Sequence, residues 1–145
     1  MSILKSSNNA YKSAQKKKWD KIYVAVDIHD TIVYGNYNAD ELPTQYIANA
    51  KEVLQYISQR EDIVLMLYTC SHPHEIEKYF EFFKKDGINF KYANENPDVP
   101  NNALGCYDKK PYFNVLLEDK GAFDAETDWT IIYEYIKDIN FNHAN

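Results

Sequence analysis

The chain has 145 residues, 45% of them hydrophobic, which is enough for one sizeable core and predicts a single compact domain. Its formal net charge of -6 and its isoelectric point near 5.2 argue against a protein that binds nucleic acid through its overall electric field. No segment has an apolar run long enough for a signal peptide or a membrane span, so we expect a soluble, cytoplasmic protein.

The N-terminal region is polar and basic. Residues 1–20 are expected to form an arm or a helix in front of an α/β domain at residues 21–140, with a short tail at 141–145. The lysines at 16–18 form a basic cluster, which we interpret as a solvated face rather than as a nucleic-acid contact.

Strands and helices alternate along the rest of the chain. Continuous apolar runs predict four strands, over residues 21–28, 62–70, 88–93 and 112–119. Helical spacing of apolar residues predicts three helices, over residues 44–60, 73–87 and 125–139. Thr44 is the expected cap of the first of these helices, and the segment 94–110, rich in Asn, Pro and Asp, is expected to be a loop.

This order of elements is typical of a parallel sheet with right-handed crossovers and helices on both faces, a three-layer Rossmann-like α/β fold. Ligands of such sheets bind beyond the carboxyl ends of the strands. Polar residues stand at the ends of three predicted strands. The first strand ends in Asp27 to Thr31, and the second ends in Thr69 to Ser71. The fourth is preceded by Lys109 and Lys110 and ends in Glu118 and Asp119, with Asp124 shortly after. Carboxylates, a hydroxyl and an ammonium group at one edge are a set that suits phosphoryl transfer.

The first strand end resembles a motif of the haloacid dehalogenase superfamily, most of whose members are magnesium-dependent phosphatases. The family's first motif is an apolar strand followed by Asp-x-Asp-x-Thr or Val. The stretch "VAVDIHDTIV" matches it at Asp27 and Thr31 and has His29 in the second acidic position.

The later strand ends resemble the family's other motifs in type and order. The second motif, Thr or Ser after an apolar strand, is similar to "LMLYT", which ends at Thr69. The basic third motif is similar to Lys110, or to Lys109 as the alternative. The acidic fourth motif is similar to "VLLED", which ends in Glu118 and Asp119. The resemblance covers most of the chain, from Tyr23 to Trp129, and implies the superfamily's fold.

The resemblance implies a nucleophile and a metal site. An ionised Asp27 would attack the phosphorus and form an aspartyl-phosphate, which water then hydrolyses. Mg²⁺ would be bound by Asp27, by the backbone carbonyl of His29 and by the acids Glu118 and Asp119, because hard cations prefer oxygen ligands.

The resemblance also implies groups that hold the substrate. Thr69 and Lys110 would contact the transferring phosphoryl oxygens and stabilise their charge. Thr31, Ser71 and Lys109 are further candidates for substrate binding.

His29 departs from the family's pattern, in which a second acid protonates the leaving group and then activates water. Histidine changes its charge near neutral pH and can exchange protons there. Residues two apart on an extended chain face the same side, so His29 is expected beside Asp27 and is a candidate acid and base. The alternatives are a residue of the site wall in a specialised enzyme, or a degenerate member that binds phosphate without turnover.

Simpler interpretations exist for every one of these residues taken alone, as turn formers, helix-entry residues or exposed side chains. A second metal-type stretch, "CSHPH" at residues 70–74, contains a thiol and two imidazoles. Only Cys106 and the distant His143 remain to complete a zinc site, and structural zinc usually takes separated ligand pairs. We therefore expect both cysteines to be reduced packing residues, and the two histidines to lie at the rim of the site.

The chain is therefore predicted to be a magnesium-dependent phosphatase that acts on a small phosphomonoester, with nucleotides and sugar phosphates among the candidates. The connection after the first strand is too short for a cap domain, so an open site is expected. A membrane or nucleic-acid partner is not expected, and a homo-oligomer is left open. The alternative is a non-catalytic phosphate-binding or protein-interaction module on the same fold.

Overall fold

The computed structural model describes residues 2–36, 38 and 40–141 of the chain. The strands in this part are β1 (Ile22–Val26), β2 (Ile63–Leu67), β3 (Phe90–Ala93) and β4 (Val115–Leu117). The helices are α1 (Ser2–Lys16), α2 (Ala50–Ser58), α3 (Pro73–Lys85) and α4 (Asp128–Ile136), with a 3-10 helix at Asp119–Gly121. The strands form one sheet in the order β3-β2-β1-β4, and every neighbouring pair is parallel. The predicted α/β fold with a parallel sheet is confirmed.

The carboxyl ends of the three strands that carry the candidate residues meet at one edge. Val24 in the middle of β1 pairs with Leu65 of β2 on one side and with Val115 of β4 on the other. Backbone bonds extend this pairing past the strand ends, since the Asp27 N–H donates to the Leu117 carbonyl at 2.9 Å. Side chains that follow β1 and β4 are therefore close neighbours.

The two faces of the sheet are covered by different kinds of structure. One face packs against buried apolar residues from all four described helices. The other face carries a smaller cluster built on Tyr23, Ala25 and Met66, which side chains of residues 94–113, here called the cover segment, pack against. The three layers are thus helices, sheet and loop, where the sequence predicts helices on both sides.

Crossover handedness explains this arrangement. The steps from β1 to β2 and from β2 to β3 run in the same direction, so right-handed connections place α2 and α3 on the same face. The return from β3 to β4 runs in the opposite direction and must cross the other face. The cover segment makes that return as an irregular chain and seals the face with aromatic and aliphatic side chains.

The start of α2 differs from the prediction. The sequence favours a helix from Thr44, but α2 begins at Ala50. Residues 45–47 instead lie against residues 32–34, where the Ile47 N–H donates to the Ile32 carbonyl at 2.9 Å. The Gln45 carbonyl, which a helix from Thr44 would use as an acceptor, instead accepts from the Tyr34 N–H at 3.0 Å, and Ala48 has a left-handed φ of 47°, so the helix starts later.

The N-terminal region forms a helix that is part of the core. Ala10, Tyr11 and Ala14 of α1 are buried in the main cluster. The Lys17 ammonium lies 5.0 Å from the ring centroid of Trp19, so the basic cluster is partly packed on an aromatic surface. Most of the predicted tail, residues 142–145, lies outside the described residues. None of the described helices is long and apolar enough to cross a membrane.

Candidate metal centre and active site

Three carboxylates come together at the carboxyl edge between β1 and β4. One oxygen each from Asp27, Glu118 and Asp119 lies within 4.8 Å of the other two. The chain produces this geometry directly, because Asp27 follows the last residue of β1 while the pair Glu118 and Asp119 follows the last residue of β4. The structure thus brings together the first and fourth candidate motifs.

Thr31 forms hydrogen bonds with two of the three acidic residues. Its side chain is fully buried, and its hydroxyl donates to Oδ2 of Asp27 at 3.3 Å and accepts from the backbone N–H of Asp119 at 3.1 Å. The indole N–H of the buried Trp129 donates to the Thr31 carbonyl at 2.9 Å. The resemblance grouped Thr31 with the substrate, but its contacts give it the role of fixing two carboxylates relative to each other.

Asp27, Glu118 and Asp119 are here called the acidic group. Burial and the two neighbouring acids make ionisation of Asp27 unfavourable. Burial is the largest cause and raises the pKa of Asp27 to about 7, against an opposing hydrogen bond from the backbone N–H of Ile28. The negative charges of Glu118 and Asp119 raise it further, and so does a hydrogen bond with Asp119. A carboxyl group in this position becomes an anion at neutral pH most readily when a positive charge is close to it.

A divalent cation with oxygen ligands would supply that charge. Mg²⁺ binds oxygens at about 2.0–2.1 Å in an octahedron, so two of its ligand oxygens lie roughly 3–4 Å apart. The carboxylate oxygens of the acidic group approach this spacing, within 4.8 Å of one another. The donor set is composed of hard oxygen ligands alone, so the residues fit Mg²⁺ in type and come close to its spacing.

His29 contacts a buried tyrosine of α3. The Tyr79 hydroxyl lies 3.0 Å from Nε2 of His29 and donates its proton to the Pro43 carbonyl, also at 3.0 Å. Burial, followed by the charge of Glu75, raises the pKa of Tyr79, so the hydroxyl keeps its proton. Because a tyrosine has one hydroxyl proton, His29 donates through Nε2, and Nδ1 is the ring nitrogen left for acid–base chemistry.

The second candidate motif lies at the end of the neighbouring strand. Thr69 follows β2 by two residues, and its Oγ1 is 2.8 Å from Oγ of Ser71. The backbone N–H of Ser71 also donates to Oγ1 of Thr69, at 3.2 Å. Thr69 and Ser71 are therefore held together in one turn that precedes α3.

The two candidate lysines are separate from the acids. Lys109 and Lys110 are exposed in the cover segment. Within the described part of the chain, neither forms an ion pair with Asp27, Glu118 or Asp119. The structure thus does not bring the candidate third motif into contact with the acidic group.

A cleft opens beside Asp119. It has a volume of ≈ 460 Å³, and its wall includes three further carboxylates, from Asp30, Asp124 and Glu126. No lysine or arginine is among the described residues that line it. Asp124, a candidate from the sequence, thus lies next to the acidic group without belonging to it.

The rival zinc stretch gains no support. Cys70 and Cys106 are both exposed, so the prediction that they are packing residues is wrong. Cys70 lies in the turn between β2 and α3 and Cys106 lies in the cover segment, and neither position faces a core cluster. Among the described residues, the group with metal-ligand geometry contains no cysteine or histidine. His143 lies outside the described residues.

Comparison with known proteins gives evidence on the fold alone. No protein-family model matches the chain, and no curated protein matches it. The solved structure of a conserved protein from Bacteroides thetaiotaomicron is similar, with 28% sequence identity and a TM-score of 0.62. The match covers 81% of this chain and 90% of that protein. The likeness agrees with the α/β fold described above, and it names no activity.

Proposed function

We propose that this protein is a magnesium-dependent phosphatase of the haloacid dehalogenase type that acts on a small phosphomonoester. The observation that carries the proposal is the convergence of Asp27, Glu118 and Asp119 at the carboxyl edge of a parallel sheet. This edge is where ligands of such sheets bind. The order and type of the strand-end residues add to it, since they resemble the superfamily's motifs at every position but His29.

The reaction proceeds in two displacements at phosphorus. An oxygen of Asp27 forms a bond to phosphorus while the bond from phosphorus to the alcohol oxygen breaks, and His29 gives the departing oxygen a proton through Nδ1. Water then attacks the phosphorus and gives a proton back to the imidazole, while the bond from phosphorus to the Asp27 oxygen breaks, which releases inorganic phosphate and restores the carboxylate. Dividing the hydrolysis in this way gives two steps with lower barriers in place of one high barrier.

The acidic group is the proposed Mg²⁺ site, with Asp27, Glu118 and Asp119 as its protein ligands. A bound Mg²⁺ supplies positive charge that offsets the charges of the carboxylates and of the phosphate. The raised pKa of Asp27 in the absence of a cation supports this assignment, because the nucleophile needs a neighbouring positive charge to be an anion at neutral pH. Thr31 holds two of the ligands in register.

Thr69 and Lys110 are the proposed partners of the transferring oxygens. Thr69 lies at the end of the strand next to β1, which favours contact with a phosphate on Asp27. Lys110 is exposed in the cover segment and forms no ion pair with the three acids, so in this proposal its ammonium group meets the phosphate only when substrate is bound. Because the cleft beside Asp119 is acidic, the cation and these two residues carry the attraction for the substrate.

A non-catalytic phosphate-binding module remains the second candidate. The observation that favours it is the contact of His29 with Tyr79, since a ring held by a buried tyrosine also serves a purely structural role. The same strand ends would then bind a phosphate group without transferring it.

Release of inorganic phosphate from p-nitrophenyl phosphate, with Mg²⁺ and with EDTA, tests the proposal. We expect release with Mg²⁺ and none with EDTA, followed by faster release from one member of a panel of nucleotides and sugar phosphates. Absence of release from every substrate would contradict the phosphatase. Phosphate that nevertheless protects the protein in thermal melts with Mg²⁺ would then favour the binding module.

A further inference from the structure

Asn94 makes an unusual pair of bonds at the carboxyl edge. It directly follows the last residue of β3, and its backbone N–H donates to the Leu67 carbonyl at 2.8 Å. Its side-chain Oδ1 accepts from the backbone N–H of Thr69 at 2.8 Å, while its Nδ2 donates to the Thr69 carbonyl, also at 2.8 Å. The side-chain amide thus pairs with Thr69 as a further residue of the strand would.

This pair fixes the backbone of Thr69 beyond the end of the sheet. β3 ends at Ala93, so the backbone groups of Thr69 have no strand partner on that side. On the other side, the preceding Tyr68 N–H donates to the Val26 carbonyl at 2.9 Å. Thr69 therefore follows a residue anchored to β1 and is itself anchored to the amide of Asn94.

The position requires asparagine for two separate reasons. Its φ angle is 57°, a left-handed conformation that glycine and asparagine adopt more easily than other residues. Its side chain must also carry a donor and an acceptor side by side, which an amide does. Aspartate has the same shape but would place a carboxylate oxygen against the carbonyl of Thr69.

We propose that Asn94 is a positioning residue that holds the Thr69 hydroxyl where the transferring phosphoryl group needs it. The proposal rests on the proposed function, in which Thr69 contacts the phosphoryl oxygens. Oγ1 of Thr69 is in turn bonded to Ser71, so a displaced Thr69 backbone would move both hydroxyl groups. A shift of about 1 Å in a group that meets the transition state can cost about a hundredfold in rate.

The test uses Asn94→Gly, Asn94→Asp and the control Asn102→Gly. Glycine tolerates the left-handed φ and removes only the side-chain bonds. Asn102 also uses its side chain to accept backbone bonds, but it lies in the cover segment beside residues that precede β1, away from the carboxyl edge. The measurements are kcat and KM for p-nitrophenyl phosphate with Mg²⁺, and hydrogen exchange of the Thr69 amide by NMR.

We expect both Asn94 variants to lower kcat by about tenfold or more with less than about a threefold change in KM, because a positioned group acts mainly on the transition state. Exchange of the Thr69 amide should become faster in Asn94→Gly, which loses the acceptor of the Thr69 N–H, and Asn102→Gly should match the wild type in both readouts. If Asn94→Gly does not fold, Asn94→Asp carries the kcat comparison, because it loses the bond to the Thr69 carbonyl and sets a carboxylate oxygen against it. Unchanged kcat in the Asn94 variants, together with a loss of activity in Thr69→Val, would overturn the proposal. Absence of wild-type activity would instead contradict the phosphatase, and unchanged Thr69 exchange in Asn94→Gly would still refute the positioning by Asn94.

Discussion

The two halves of the sheet's carboxyl edge differ in charge. Between β1 and β4, three acids are held close together, and burial with mutual repulsion raises the pKa of Asp27 to about 7. Between β2 and β3, the groups are neutral, and the amide of Asn94 satisfies both backbone groups of Thr69. The first half thus holds mutually repelling acids, for which we propose a cation, whereas in the second half the backbone groups of Thr69 are paired without a ligand.

The largest expected effect comes from removing the charge of the acidic half at the nucleophile. Asp27→Asn should abolish phosphate release, by more than about a thousandfold, because an amide cannot form the aspartyl-phosphate. Release of phosphate from aryl phosphates is the measurement. Asp98→Asn is the matched control, because Asp98 bonds Lys91 and Tyr92 and is not part of the acidic group. An active Asp27→Asn would remove Asp27 from the chemistry.

His29 offers the next largest effect. If it protonates the leaving group, His29→Ala should slow substrates with alkoxide-like leaving groups by about a hundredfold or more. Activated aryl phosphates should be affected far less, because their leaving groups depart without a proton. The measurement is kcat for a series of phosphomonoesters of increasing leaving-group pKa.

His29→Asp and Tyr79→Phe sharpen this result. His29→Asp restores the acid of the family's motif and should keep or raise activity. Tyr79→Phe removes the hydroxyl that binds Nε2 of His29, so it should lower the rates of the same poor leaving groups. Equal activity of the wild type and His29→Ala on every substrate would exclude His29 from proton transfer. Activity that appears only in His29→Asp would support the phosphate-binding module.

Magnesium should stabilise the folded protein by binding to the acidic half. At about a hundred times its dissociation constant, Mg²⁺ that binds only the folded protein adds about 2.7 kcal/mol to the free energy of unfolding, which raises Tm by several degrees. Asp27→Ala and Asp119→Ala should lose this increase. Asp124→Ala should retain it, because Asp124 lies in the cleft but not in the acidic group. A full increase in both of the first two variants would locate the ion elsewhere.

The smallest expected effect is a pH dependence of stability in EDTA, because Asp27 is only partly buried and solvent screens much of its interaction with the other acids. The pKa of Asp27 rises from 3.8 to about 7 on folding, so between these values the folded state binds a proton that the unfolded state has released. The contribution of Asp27 to stability is therefore greatest below about pH 4, decreases up to about pH 7 and is constant above it. Tm should decrease by a few degrees over this range in the wild type and by less in Asp27→Asn. Equal slopes would show that Asp27 is not the group responsible.

The acidic half was predictable from the sequence, and much of the rest was not. Asp27, Glu118 and Asp119 directly follow strands, and parallel neighbouring strands bring such residues together whatever the loops do. Lys110 precedes its strand in a segment without periodicity, so no rule fixed its distance from the site. The contact between His29 and Tyr79 was hidden, because Tyr79 has the helical spacing of an ordinary core residue.

Element ends and strand neighbours set the other limits. The start of α2 depends on the pairing of residues 45–47 with residues 32–34, which competes with the local preference for a helix. The role of Asn94 depends on β3 lying beside β2 with its last residue next to Leu67. Neither relation can be obtained from spacing within one segment, since both arise from tertiary neighbours.

The cover segment also determines where this chain can be lengthened. Its turn at residues 102–105 is closed by its own backbone bonds, and Leu104 at the tip is 96% exposed. The side chains that seal the sheet lie elsewhere in the segment, among them Val99 and Phe113. Peptide insertions succeed at exposed tips whose backbone bonds are local. A tag or an added lobe inserted at Leu104 would therefore leave the sheet sealed, and the same insertion next to Phe113 would open it.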